Sequence, residues 1–398
     1  MVFTEQLMTF LSSWKFVLLF YIVIAIIIYI YRKKFQVEGG FILLYRTQWG
    51  IKFIDDFAEK HKEFLKILGY TAIGIGFIGM FLICGLLIKG LYELIFVPTA
   101  PPTLSLVIPG VQIPGSPIFV PFWYGIIALF TVILVHEFGH GIIAKSHGLK
   151  IRNTGFGFFG PLPLAFVEPD EKQVVKKDSV VQQSIFAAGP FFNGLLVLVV
   201  LVISLLIVNP LISTMVTPQG VSFNTIQKGY PAEQYGIQPN VVYTSFNGIP
   251  VKDANEFITA ASCIKPNDNV TIANANDSVS LLAGISPTDK TKGYMGVSGM
   301  KTDYVLKSQA IWFKGSYDIL FIIANLLEWI ATLSLGIGLA NLLPLGPVDG
   351  GRMLNKASID INGKAKGTKI WVAISIITLV TMAILIFIPI IKHIFFKA

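Results

Sequence analysis

Long apolar runs, separated by charged or Gly/Pro-rich stretches, dominate the chain. Eighteen or more apolar residues suffice to cross a bilayer as a helix, at 1.5 Å per residue. Six runs are predicted to span, at about 14–31, 68–96, 122–144, 181–208, 311–345 and 370–391. Residues 1–13 hold no Lys or Arg, and no small-residue cleavage site follows the first run. That run therefore reads as an uncleaved span and not as a signal peptide.

The stretches between the spans differ in texture. Residues 37–45, with Gly39-Gly40, are too short to cross and read as an interfacial or re-entrant strand pair. Residues 51–65 set Lys52, Asp55, Asp56 and Glu59 among apolar positions at helical spacing, the pattern of an amphipathic surface helix. Within 152–171, the run Gly155-Phe156-Gly157-Phe158-Phe159-Gly160-Pro161-Leu162-Pro163 is apolar, yet Gly and Pro forbid a continuous helix. Non-helical backbone at membrane depth must be buried in protein or line a cavity, so a re-entrant β-loop is expected. Residues 217–300 alternate in short segments between Gly, Pro, Asn and Asp, as in a small β-rich domain. The resulting plan is an α-helical polytopic membrane protein. Residues 1–119 hold spans one and two with the amphipathic segment. Residues 120–210 form a core of spans three and four with the β-loop. An inserted α+β domain at 217–300 and spans five and six at 311–398 complete it.

Composition agrees. Of 398 residues, 54% are hydrophobic and 14% charged, far from the quarter charged that a soluble protein carries. The net charge of +8 is loop charge that sets topology, not a nucleic-acid surface, and no nucleic-acid partner is expected. Basic residues cluster after span one (Arg32, Lys33, Lys34, Arg46, Lys52, Lys60, Lys62, Lys66), after span three (Lys145, Lys150, Arg152, Lys172, Lys176, Lys177) and after span five (Arg352, Lys356, Lys364, Lys366). Residues 97–121 have none. The positive-inside rule puts the three basic loops in the cytoplasm, the N-terminus outside, and the 217–300 domain outside the cytoplasm of a plasma-membrane protein. Cys84 and Cys263 offer neither ligand spacing nor a disulfide framework.

The chemistry sits in the third run, as His136-Glu137-Phe138-Gly139-His140. Residues i and i+4 share a helix face, so both imidazoles can reach one ion. On a helix this pattern reads as two Zn²⁺ ligands with Glu137 as general base. Ionisable residues inside lipid are costly without a partner, which favours the metal reading. His136 lies about 20 Å in from the outer end of its span, towards the cytoplasmic third of the bilayer. Asp349, at the cytoplasmic end of span five, is the expected third ligand, and Glu168 beside the β-loop is its rival. His147 reads as a solvated surface residue; His61 and His393 read as interface residues.

Three motifs carry a family resemblance: His136 to His140, Gly189-Pro190-Phe191-Phe192-Asn193, and Asn341-Leu342-Leu343-Pro344 through Asp349-Gly350-Gly351. Together and in this order they resemble the site-2 protease family of intramembrane zinc metalloproteases. The resemblance covers most of residues 120–355; one departure is Gly346, where many members have Pro. It implies hydrolysis of membrane-spanning substrates such as anti-sigma factors or membrane-tethered regulators. A metal-activated water attacks and Glu137 handles its proton. Asn193 and Asn341 are candidates to bind substrate backbone or the developing oxyanion, and Asn193 equally suits an interhelical hydrogen bond. The 152–171 loop could hold the substrate as an added strand.

Residues 217–300 resemble a PDZ domain through Gly220-Val221-Ser222-Phe223, Gly229-Tyr230-Pro231-Ala232-Glu233, Gly236-Ile237 and Phe246-Asn247-Gly248-Ile249-Pro250, departing from it at Pro239-Asn240. Ser222 falls in the would-be carboxylate loop. Such a domain could admit substrates already cut by another protease, either by reading the new terminus or as a size filter; a plug without a ligand fits equally. The alternative of another class is a non-catalytic multi-pass scaffold or transporter with an outer PDZ-like module. Transporters show broken helices at corresponding places in two halves, and no such symmetry is evident. A membrane-anchored protease with its site on a soluble face conflicts with the apolar run around His136.

Overall fold

The computed structural model describes residues 14–38, 42–97, 102–116, 118–159, 162–287, 289–308 and 314–396. Residues 1–13, Gly39-Gly40, Gly160-Pro161 and the 309–313 stretch lie outside the described residues. Five helices are long and apolar enough to cross a membrane. The first predicted span corresponds to a 17-residue apolar helix, α1 (Trp14–Ile30). The chain divides into two units, Met1–Ser204 with Ile323–Ala398, and Leu205–Ile322.

The first unit begins with α1, whose Phe20 ring packs 5.4 Å from both Phe122 and Trp123. Strands β1 (Gln36–Glu38) and β2 (Ile42–Thr47) follow as an antiparallel pair. Helix α2 (Ile51–Lys60) buries Ile54 and Ala58, and the chain turns at His61 into α3 (Lys62–Phe96). Helix α4 (Phe122–Ser146) carries the His-Glu-x-x-His residues. The 152–171 loop is a hairpin of β3 (Ile151–Phe159) and β4 (Leu162–Pro169), as its breakers led one to expect. Strand β2 also pairs with β3, from Ile42↔Phe159 to Thr47↔Thr154, so both short strand pairs form one antiparallel sheet in the order β1-β2-β3-β4. A short helix α5 (Glu171–Val174), capped by Asp170, leads into α6 (Ser179–Ile203). The predicted fourth span is longer than expected: the apolar helix that opens with α6 ends at Met215, its π-helical turn (Ser204–Val208) and α7 (Asn209–Met215) lying at and beyond the boundary to the second unit.

Small residues set the packing of this unit. The buried stripe of α3 is Leu65, Gly69, Ala72, Gly76, Met80, Ile83, Leu87 and Gly90, at steps of three and four. A Cβ on Gly69 would meet Ile143 and Ser184, and one on Gly76 would meet Met353 and Ala187. Because lipid is as apolar as leucine, close backbone approach over small residues is the main source of such packing.

In the second unit, β5 (Val216–Ile226) is followed by α8 (Pro231–Gln234), β6 (Ser245–Phe246), β7 (Ile249–Pro250) and α9 (Ala254–Ala261). Then come β8 (Asn269–Ala273), β9 (Ser278–Leu282), β10 (Gly284–Ile285), β11 (Gly293–Tyr294) and β12 (Val297–Leu306). A four-stranded sheet β7-β6-β8-β9 and the pairs β5-β12 and β10-β11 surround Phe223, Phe246, Ile272 and Leu281. The segment Gly220–Phe223, read as the would-be carboxylate loop, is strand instead. It lies inside β5, with β12 on one edge and the reciprocal Val221–Tyr243 backbone bonds on the other. Four consecutive buried residues, Gly220 to Phe223, leave Ser222 inside the domain core.

Helix α10 (Lys314–Asn341), α11 (Asp349–Asn362) and α12 (Lys364–Phe396) end the chain. Here too the prediction needs correcting. The fifth span stops at Asn341, and Asp349 opens a separate amphipathic helix instead of closing the span. The intervening turn is pinned to α12: Ser375 Oγ accepts from Gly346 N–H and donates to the Pro344 carbonyl, both at 3.2 Å. Gly346 has φ of +41°, which Pro cannot adopt, so the expected Pro gives way here to Gly followed by Pro347.

Candidate metal centre

Helix α4 places His136 and His140 one turn apart, and the start of α11 brings Asp349 against them. His136 Nε2 is 3.1 Å from Asp349 Oδ2, His140 Nε2 is 3.3 Å from it, and the two Nε2 atoms are 3.2 Å apart. His136 and Asp349 are buried. Among the described residues, this is the one group of three His, Cys, Asp or Glu side chains whose ligand atoms all lie within 4.8 Å of one another.

The hydrogen bonds around the ring explain why these atoms face one another. His140 Nδ1 lies 2.7 Å from the Ile185 carbonyl of α6, a contact that only Nδ1–H can satisfy, so in the neutral ring Nε2 presents a lone pair. His136 Nδ1 is 3.2 Å from the Asn193 amide, whose Oδ1 is otherwise buried without a partner. Turned end for end, that amide accepts Nδ1–H and leaves the His136 Nε2 lone pair free as well. Asp349 Oδ2 is itself buried without a hydrogen-bond donor. With both rings neutral and in these tautomers, two imidazole lone pairs and a carboxylate oxygen converge on one point, the donor set of a metal ion. Their spacing matches the roughly 3.3 Å between neighbouring ligands on a tetrahedral ion with bonds near 2.0–2.1 Å. The residues present therefore fit a bound divalent metal.

Glycines make the approach possible. A Cβ on Gly189 of α6 would overlap the Nε2 atoms of both His136 and His140. On Gly350 a Cβ would run into the Leu342 carbonyl, and on Gly351 into those of Gly346 and Leu345. The Asp349-Gly350-Gly351 sequence thus lets α11 start directly on the preceding turn, which seats Asp349.

Glu137 is half-buried beside this group, and its Oε2 accepts a hydrogen bond from Val167 N–H at 3.1 Å. Strand β4 is the sheet edge, so this amide points away from β3 and fixes the carboxylate. A cavity of about 650 Å³ opens over His136, Glu137, His140 and Asp349. Its wall includes Asn341, the last residue of α10, and its rim carries Arg152, Lys172 and Arg352. Asn193 is fully buried behind His136 and is not part of that wall.

Glu168 also lines the cavity but turns to Arg46, which donates to it at 2.7 and 2.9 Å, with Asn153 Nδ2 at 2.9 Å. Burial pushes its carboxyl pKa up, and these donors outweigh burial and hold it below the usual carboxylate range. Glu168 is therefore committed to the sheet and is not part of the ligand group. His147 is half-buried, not solvated; its Nε2 lies 3.3 Å from Ser184 Oγ. Desolvation first, and then Lys66 and Lys177, lower its pKa. His61 sits between α2 and α3 with its ring 4.9 Å from Phe57, and the side chain of His393 lies outside the described ones. The roles of Ile185, Val167 and Arg46 escape a reading of the sequence, since backbone carbonyls and amides carry no residue signature. Gly189 was visible only as a member of its motif.

The profile of peptidase family M50 matches residues 124–385, which include all of these site residues except Arg46. The chain belongs to peptidase family M50. It is thereby a multi-pass membrane protein of an intramembrane metalloprotease family, with a triad that can hold the metal. Among relatives, the uncharacterized protein MJ0971 of Methanocaldococcus jannaschii is 30% identical over 349 residues, covering 86% of this chain and 85% of its own length.

Proposed function

We propose that this M50 member is a zinc endopeptidase of the site-2 type, with His136, His140 and Asp349 as ligands and Glu137 as general base. The observation that carries this reading is the convergence of three potential ligand atoms 3.1–3.3 Å apart beside a carboxylate held by Val167 N–H. Zn²⁺ bound there supplies a Lewis acid and lowers the pKa of a water to about 7. Glu137 takes the proton of the attacking water and returns it to the leaving amine. Ile185 and Asn193 hold the two imidazoles in the tautomers that present Nε2. Asn341, on the cavity wall, is positioned to donate to the developing oxyanion. The substrate is a membrane-spanning protein, unwound and laid along the edge of β4 as an added strand.

The β3–β4 hairpin acts as a re-entrant element at membrane depth, and α1 serves as a sixth span. The cavity opens towards the cytoplasm, because its rim residues Arg152, Lys172 and Arg352 belong to loops that the positive-inside rule retains there. Residues 217–300 form an extracytoplasmic PDZ-like module in a plasma-membrane protein, and it favours substrates already trimmed by another protease. With Gly220–Phe223 paired on both edges, size exclusion fits this module better than capture of a C-terminus in that segment. A scaffold or transporter reading leaves the buried Asp349 oxygen and both oriented imidazoles without a purpose.

The test is zinc content and peptide cleavage by the full chain in detergent, for wild type and for Glu137→Gln, Asp349→Ala and Glu168→Ala. Glu137→Gln keeps zinc and loses cleavage, Asp349→Ala loses both, and Glu168→Ala keeps zinc. Cleavage that survives Glu137→Gln contradicts the mechanism; zinc lost from Glu168→Ala but kept in Asp349→Ala overturns the ligand set.

A further inference from the structure

A second cavity, of about 580 Å³, lies on the other side of Glu137. Its walls come from three elements: Phe53 and Ile54 of α2, Leu134 and Phe138 of α4, and Phe156 and Phe166 of the β3–β4 hairpin. The lining is apolar almost throughout. Thr154 Oγ1 donates to the Trp49 carbonyl, and among the described residues Glu137 is the one ionisable wall group. Stacking sets the shape: Phe138 lies 5.7 Å from Phe53 at an interplanar angle of 28°, and Trp49 lies 6.0 Å from Phe156. The volume is within the 300–1,000 Å³ range of ligand pockets.

Two residues, Glu137 and Val167, line both this cavity and the metal-side cavity. Their hydrogen bond forms the partition between a polar chamber and an apolar one. A ligand in the apolar chamber therefore has its inner end at the carboxylate that works on the scissile bond. An acyl chain there would press a methyl group against that carboxylate. A peptide whose backbone crosses Glu137 instead sets its polar amide at the carboxylate and one side chain among the aromatic walls.

We infer that this chamber is a specificity pocket that seats a bulky apolar side chain, Leu, Met, Phe or Trp, of the residue adjacent to the scissile bond. The inference rests on the protease reading above and assigns that site its preference. Ala165 lines the chamber with a side chain too small to fill it, so it sets the available depth. A larger residue there shortens the pocket without touching the ligand group. Phe166→Ala, conversely, enlarges it.

The test uses the full chain in phosphatidylcholine nanodiscs and membrane-spanning peptides that differ only at the two residues flanking the cut. Wild type is expected to favour Phe or Leu over Ala at one flanking position by about 10- to 100-fold in kcat/KM. Ala165→Leu should abolish that preference by slowing the Phe peptide far more than the Ala peptide, and Phe166→Ala should shift it towards Trp. A diazirine-leucine at the same position should label Phe53, Phe138 or Phe156, and Ala165→Leu should remove the label. An unchanged preference with label elsewhere overturns the inference. So does a lipid retained in native mass spectra of wild type and lost in Ala165→Leu, with substrate preference unaltered. Should no peptide be cut at all, the protease reading fails separately; label within the chamber still upholds a peptide site, and its absence there refutes one.

Discussion

Replacing Gly189 by Ala adds one methyl group at the most crowded point of the metal centre. Its carbon would overlap Nε2 of both His136 and His140 and approach Cε1 of His136 at 2.6 Å. Non-bonded carbon contacts settle near 3.5–4.0 Å, so the rings must retreat by about 1 Å or α6 must back away. Retreat of α6 is opposed by the packing of its own buried residues Ala187, Ala188 and Phe191 in the core. Metal–nitrogen bonds near 2.0–2.1 Å tolerate deviations of about 0.2 Å, so a 1 Å displacement of two ligands exceeds the tolerance severalfold. Losing a residue that merely orients one ligand lowers metal affinity about 10- to 100-fold; moving two ligands should lower it by at least about 100-fold. Zinc content measured against a buffered zinc series reads this directly, with thermal unfolding as a check on integrity. Gly194→Ala is the control: it lies on the same helix, its Cβ would meet nothing within 4 Å, and it should bind zinc as wild type does. Its helix should gain about 0.5–1 kcal/mol from the better helix former. Wild-type zinc affinity in Gly189→Ala would refute the claim that this glycine seats the ligands.

Three further outcomes are expected. Glu137→Gln should lower the cleavage rate by a factor of about 10² to 10⁴ at unchanged zinc content, read in single-turnover assays. Asn193→Ala should weaken zinc binding about 10- to 100-fold through loss of the His136 partner, and a wild-type zinc isotherm would count against that pairing. Glu168 has its carboxyl pKa held down in the fold, so its stabilising effect is present above its unfolded value and disappears as pH falls through the folded one. The difference in melting temperature between wild type and Glu168→Gln should therefore be full at pH 7 and vanish in the acid range; a difference that persists there contradicts the Arg46 pairing.

How much of this was legible in the sequence depends on the range of each interaction. The His136–His140 pair is a one-turn relation and can be read from spacing alone. Asp349 was legible through its motif and its depth, although the break after Asn341 was not, since apolar residues run on through Leu345. The hairpin followed from Gly and Pro, but its union with β1–β2 depends on pairings such as Leu43↔Phe158 over more than 100 residues, to which no local pattern points. Packing faces were least legible. In lipid both sides of α3 are apolar, so hydropathy carries no period, and the buried stripe is marked by small size instead. The fate of Gly220–Phe223 turned on two strand partners at once, a context that its local sequence does not encode.

Zinc K-edge absorption on the full chain in nanodiscs tests the central claim most directly. The account predicts one zinc ion per chain with two imidazole ligands at about 2.0–2.1 Å and oxygen in the remaining positions. A spectrum with sulfur scattering or without imidazole, or a chain that takes up no zinc, would contradict it.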